Sequence, residues 1–291
     1  MVERRPEAAF SFDVEEWFQT QAAGHAYPPG QWNEMESRLE EPMDYLLSTL
    51  SRFGCRATFF FLGWIVERMP ALADRVLQEG HEVASHGYAH GEITFQDRSS
   101  FAHDLHRAEE VFRAAGLPSP RGYRAPSFTI VPETTWALRE LSARGYGYDS
   151  SVYPMFRHRY GFPRTPLGPF FFQGEGFSLL ELPMAVAPVL GQRLPVAGGA
   201  YMRFLPLALL RALLGRVTSA GRTPVLYLHP WELDGGMSIS GCSRIQRLRQ
   251  ETGAGRGARR KLEHLLASFG GITLSELAER SRSSRLQRVD I

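Results

Sequence analysis

The chain holds only two cysteines in 291 residues, Cys55 and Cys242, and they do not stand in a metal-type spacing. No disulfide framework is required, which favours a reducing compartment. Lysine is nearly missing: Lys261 is the single one, and all other basic side chains except histidine are arginine. The formal net charge is only +2, too weak a field to imply a nucleic-acid partner. The arginine-rich stretch from Arg244 to Arg288 reads as a solvated surface with helix. Long apolar runs are also missing. Phe204 to Leu214 falls short of the roughly 20 residues a membrane span needs, and it contains Pro206 and Arg211. It reads as a buried helix, with a peripheral membrane or lipid-linked substrate contact as the minority alternative. Met1 to Glu7 shows no apolar h-region, so a cytoplasmic location is expected.

What is present is an ordinary globular balance, 43% hydrophobic and 22% charged, with ample material for a core. Strand-like runs fall at 8–14, 56–62, 82–85, 122–124, 179–183, 224–229 and 271–273. Helix-period segments fall at 41–53, 70–79, 99–115, 132–144, 205–219, 261–269 and 274–280. Three of these helices run into a glycine, at Gly80, Gly116 and Gly145, a common stop. Such alternation predicts parallel βαβ units, as an α/β barrel or an open doubly wound sheet. The stretches 153–176 and 234–257 read as long loops. With no repeat and no linker, one domain is expected, with a core of about 8–235 and a C-terminal loop and helices, 236–291, packed on it.

Several polar residues stand where predicted strands end. Asp13 and Glu15, two apart, point to one face of an extended chain. Two such anions side by side need a cation near them to ionise together; alone, they are also common at strand ends. His86 and His90 share one face if the segment makes a helical turn, as metal-binding histidines often do. The bland alternative is one solvent and one core histidine. Arg124, in YRAPSF, needs a carboxylate if buried, and Asp13 is a candidate; otherwise it is a surface arginine. Asp149, in YDSSVY, suits either a site or turn capping. His229 directly follows a buried run, where α/β folds keep their sites.

In this order, SFDVE, SHGYAH, YRAPSF, YDSSVY and LYLHPW resemble the motifs of the polysaccharide deacetylase family, the NodB-homology fold of carbohydrate esterase family 4. SFDVEEWF, LPVAGGAY and YLHPWELD are similar to its exosortase-associated branch, linked with bacterial exopolysaccharide. The resemblance implies a distorted (β/α)7 barrel, TIM-barrel-like, and an N-deacetylase acting on N-acetylated glycans. It implies a divalent metal, zinc first, with cobalt, manganese or nickel as alternatives, held by Glu15, His86 and His90. The family's usual metal-binding aspartate position is Val14 here, and Glu15 takes its place. The resemblance makes Asp13 the base, Arg124 its partner, His229 the general acid and Asp149 the acid that tunes His229. A backbone N–H near Ser127 would serve the oxyanion. Tyr88 and Trp231, with Trp17, Trp32 and Phe128, could offer sugar platforms or plain packing. Two other readings stay open: hydrolysis of a different C–N bond, as in a cyclic amide or ureide, and a non-catalytic glycan-binding protein.

Overall fold

The computed structural model describes residues 5–20, 23, 26–156, 160–236 and 244–291. Cys242 and residues 1–4 lie outside them. The described strands are β1 (Glu7–Val14), β2 (Thr58–Phe61), β3 (Glu82–Ser85), β4 (Gly122–Tyr123), β5 (Tyr148–Asp149), β6 (Phe170–Gly174), β7 (Phe177–Glu181), β8 (Val186–Val189), β9 (Gln192–Pro195), β10 (Val225–Leu228), β11 (Gly270–Ile272) and β12 (Gln287–Asp290). The α-helices are α1 (Glu40–Phe53), α2 (Gly63–Arg68), α3 (Pro70–Gln78), α4 (Arg98–Ala114), α5 (Trp136–Ala143), α6 (Gly199–Phe204), α7 (Leu207–Ser219), α8 (Arg244–Glu251), α9 (Arg256–Ser268) and α10 (Leu274–Arg282).

β1 is buried from Ala8 onward and β2 throughout, as expected of parallel strands covered on both faces. Seven parallel strands follow one another in space as β10, β1, β2, β3, β4, β5 and β7. The chain just past β7 then reaches back to β10, where the Ala185 N–H donates to the Val225 carbonyl at 3.0 Å. That bond closes the ring, so the architecture is a (β/α)7 barrel. It is distorted because β4 and β5 are only two residues long each. β6 runs antiparallel to β7, β12 lies outside β6, and β11 pairs with the first residues of β1.

Helices α1, α3 and α4 follow the sequence pattern closely, while the helix expected over 132–144 splits into a 3-10 turn, Pro132–Thr134, and the shorter α5. Gly54, Gly80, Gly116 and Gly145 take positive φ just beyond these helices, where a side chain would be strained. Other expectations need correction. The stretch 153–176 is not all loop, since β6 occupies 170–174. The stretch 234–257 contains α8. The helix expected over 205–219 is α7 alone, because Pro206 has no N–H to continue α6. The Phe204 to Leu214 run is buried on one side only, with Phe204 and Leu209 about half exposed at 48% and 47%. The C-terminal segment adds strands β11 and β12 to the sheet as well as helices.

Candidate active site

Every polar residue singled out above sits at or just past the C-terminal end of a barrel strand. Asp13 is near the end of β1, with Glu15 just beyond it; His86 follows β3, Arg124 follows β4, Asp149 ends β5, and His229 follows β10. Parallel strands bring such ends to one rim. There they surround a cavity of about 410 Å³ lined by Asp13, Glu15, His86, His90, His229 and Trp231, with Ser127 and Phe128 at one wall.

The donor atoms of Glu15, His86 and His90 lie within 4.8 Å of one another. His86 Nδ1 stands 2.7 Å from the Arg124 carbonyl oxygen. A carbonyl only accepts, so Nδ1 carries the proton and Nε2 keeps its lone pair for a metal. Burial lowers the His86 pKa to about 4, which keeps the ring neutral. Glu15 Oε2 lies 2.7 Å from His90 Nε2, yet no well-formed hydrogen bond reaches that buried oxygen. An orphaned carboxylate oxygen beside two imidazoles is what a cation would complete. Burial opposes ionisation of Glu15, but chiefly the neighbouring His90 and His229 hold its pKa down at about 2. The Trp231 indole N–H donates to Glu15 Oε1 at 3.1 Å.

The histidine pair does not lie on a helical turn. Residues 86–90 form a loop with Gly87 at φ 75 and His90 at φ 55. Asp104 on α4 holds it by accepting from the Tyr88 N–H at 2.8 Å and the Ala89 N–H at 3.2 Å. That reversal turns Tyr88 away from the cavity. Its hydroxyl donates to Glu67 at 2.8 Å and Arg107 stacks on its ring at 3.6 Å. The expectation of a sugar platform at Tyr88 is therefore corrected. Trp32 is likewise packed against Phe18 and Trp64.

Arg124 is completely buried. Its Nη1 donates to Asp13 Oδ1 at 2.6 Å and to Ser11 Oγ at 2.7 Å. Its Nε and Nη2 bond the Ser150 carbonyl and hydroxyl at 2.9 and 3.0 Å. The guanidinium lies over Phe60 at 4.1 Å. Four of the five guanidinium N–H donors thus meet buried acceptors, and the Asp13 carboxylate is fixed with them.

His229 lies beside Trp231 with rings stacked at 5.0 Å. Its Nε2 is 3.5 Å from Glu15 Oε1. Its Nδ1 meets Glu232 Oε2 at 3.0 Å, and the same oxygen accepts the His229 backbone N–H at 3.0 Å. Burial opposes the ring's charge, but Glu15, Glu232 and Asp13 outweigh it and raise the His229 pKa to about 9. Glu232 is held in turn by Arg203 Nε at 2.7 Å. Arg203 also donates to the Gln250 and Thr252 carbonyls, both at 2.8 Å. Gly199 makes room: a Cβ there would fall on the Glu232 carboxylate.

The acid expected beside His229 was Asp149, and this is corrected. Asp149 Oδ1 accepts from Ser151 Oγ at 2.6 Å, and the residue is fully buried away from the cavity. Glu232 takes that place. Its signal was in the sequence: proline follows His229 and glutamate stands three residues on, a capping-box spacing. Arg203 left no local signal. Ser127 and Phe128 both adopt positive φ, 55° and 56°, a strained turn at the cavity wall.

Fold and donor set together define a class: an α/β barrel with a carboxylate–dihistidine group on its catalytic rim. Residues 32–146 match the polysaccharide deacetylase family and residues 150–279 match DUF3473, a domain of unknown function typical of exosortase-associated deacetylases. The segment 32–146 is thus similar to polysaccharide deacetylases. It is 26% identical over 96 residues to a peptidoglycan-N-acetylglucosamine deacetylase of Bacillus cereus, covering 33% of this chain and 35% of that protein. It is 38% identical over 72 residues to peptidoglycan-N-acetylglucosamine deacetylase PgdA of Listeria monocytogenes, covering 24% of this chain and 16% of that one. The matches thus span about a third or less of these curated relatives. A crystal structure of a putative polysaccharide deacetylase from Mycobacterium smegmatis shares the fold, with a TM-score of 0.66 at 22% identity over 99% of this chain and 94% of that one. No described helix is long and apolar enough to cross a membrane.

Proposed function

We propose that the protein removes acetyl groups from N-acetylated sugars of a bacterial exopolysaccharide or its precursor, with a divalent metal at Glu15, His86 and His90. One observation carries this reading. Three metal-type donors, an arginine-held carboxylate and a carboxylate-held histidine converge on a single cavity of about 410 Å³. The two imidazoles and one carboxylate suit zinc first; cobalt, manganese and nickel accept the same donors. When bound, such an ion lowers the pKa of water and polarises a carbonyl.

The chain's own residues supply the rest. Asp13, immobilised by Arg124, accepts the proton of the attacking water. The backbone N–H at the Ser127 turn offers a donor to the oxyanion that develops on the acetyl oxygen. His229, kept charged by Glu232 and the other carboxylates, gives its proton to the departing amine. Acetate and a free amino sugar result. Trp231 serves the Glu15 carboxylate through its N–H and leaves the edge of the His229 stack for a sugar face. The names of the matched relatives support an N-acetylated glycan, and the DUF3473 segment supports the exopolysaccharide setting. Phe204, half exposed on the cavity lining, suits a lipid-linked precursor.

The test is acetate release by the purified protein from chitooligosaccharide, peptidoglycan and exopolysaccharide, before and after chelation and metal return. Metal-dependent release from at least one glycan is expected. Turnover of small cyclic amides with none of the glycans would move the assignment to the other C–N hydrolases. Absence of both activity and bound metal would overturn it.

A further inference from the structure

Asp149 and Glu181 are register partners on the adjacent parallel strands β5 and β7. Both are completely buried. Asp149 Oδ1 accepts from Ser151 Oγ at 2.6 Å, and Glu181 Oε1 accepts the Val152 N–H at 3.0 Å. The remaining oxygen of each, Asp149 Oδ2 and Glu181 Oε2, is buried with no donor. Two carboxylates so placed cannot both stay ionised, and buried lone pairs without a donor are costly. A single proton between them resolves both faults, since it cancels one charge and gives each free oxygen a partner. Burial first, and then the Asp149 charge, push the Glu181 carboxyl well above the usual range; burial raises Asp149 as well. The charged and titratable groups acting on the pair from β4 and its end are Tyr123 and Arg124. Arg124 favours ionisation of both acids, and the charge on Asp149 opposes ionisation of the Tyr123 phenol.

The pair stands behind the Asp13 clamp. Residues 149–152 form a strap whose Ser150 accepts from Nε and Nη2 along one edge of the Arg124 guanidinium. In the same strap Ser151 Oγ accepts the Ala125 N–H at 2.7 Å. We propose that Asp149 and Glu181 form a proton-sharing carboxyl pair that locks this strap and thereby positions Arg124 and the Asp13 carboxylate. Neither acid lines the cavity, so both are positioning residues. The positioning role rests on the deacetylase reading; the shared proton does not.

Thermal unfolding of the wild type and of Glu181→Gln, from about pH 5 to about pH 9, reads the proton. A carboxyl whose folded pKa is raised above the usual 4.5 gives stability that is full below that value and is lost as pH rises through the folded pKa. The amide of the variant donates to Asp149 at every pH and still accepts from Val152. The Tm of the variant minus that of the wild type is therefore expected to grow with pH. A difference that stays flat overturns the shared proton. Activity reads the positioning. Glu181→Leu is expected to lower kcat by about tenfold or more with KM little changed, and Glu181→Gln to restore most of it. Equal loss in both variants, or a KM effect with kcat kept, overturns the positioning role. A wild type without deacetylase activity overturns that role together with the deacetylase reading, while the Tm series still decides the proton.

Discussion

Two buried arginine–carboxylate pairs flank the cavity, and they do different work. Arg124 meets Asp13 at 2.6 Å, with side chains 0% and 2% exposed. Arg203 meets Glu232 at 2.7 Å, with side chains 3% and 1% exposed. The distances and burial are nearly the same. In the first pair the acid itself faces the cavity. In the second the acid, also on the cavity lining, is engaged by His229 Nδ1 at 3.0 Å. The first arginine comes from a strand end in the segment matching the deacetylase family, the second from α6 in the segment matching DUF3473. One electrostatic device thus fixes an anion in one place and favours a cation in the other. Removing one partner of such a pair generally costs about 3–5 kcal/mol, so both clamps are also expected to matter for folding.

The two pairs can be separated by experiment. Asp13→Asn breaks the direct pair at its acting member. We expect kcat to fall by about 10²–10⁴-fold while metal content, measured by elemental analysis, is retained. Full activity would remove Asp13 from the role of base. His229→Ala is the matching cut on the other side. Its loss on an N-acetylated glycan is expected at about 10²–10³-fold, shrinking on an aryl acetate whose leaving group needs no proton. An equal loss on both substrates would mean that His229 does not protonate the leaving group. Glu232→Gln tests the acid that His229 engages. A decline of about 10–100-fold in kcat is expected, with glycan KM little changed. If Asp149→Asn instead mimics His229→Ala while Glu232→Gln is silent, Glu232 is not the residue that supports His229. Trp231→Phe should have the smallest effect. It removes the N–H bond to Glu15 and is expected to weaken metal affinity severalfold at most, read by competition with a chromophoric chelator.

The features that local rules govern were legible in the sequence. Buried parallel strands read as unbroken apolar runs, and a polar residue at the end of such a run lands on the rim wherever its strand sits in the barrel. That is why Asp13, His86, Arg124 and His229 could be grouped before any geometry was known. What depends on the path of a loop was not legible. Gly87 and His90 at positive φ send Tyr88 away from the cavity, which spacing alone does not reveal. Asp-Ser-Ser at 149–151 has the composition of a turn, and nothing in it tells which histidine, if any, it faces. The acid at His229 lay three residues along the same chain, in a pattern usually read as a helix start. Arg203 is 29 residues from its partner, and only the fold of the second half brings it in.

The close approach of Gly199 to Glu232 has a consequence for reading related chains. With a side chain at position 199, the glutamate cannot occupy the place it has here. The glycine and the glutamate should therefore be inherited as a couple. A relative that keeps the late histidine but has lost either one must hold that histidine by other means, so two letters of text divide the family by how its acid is supported.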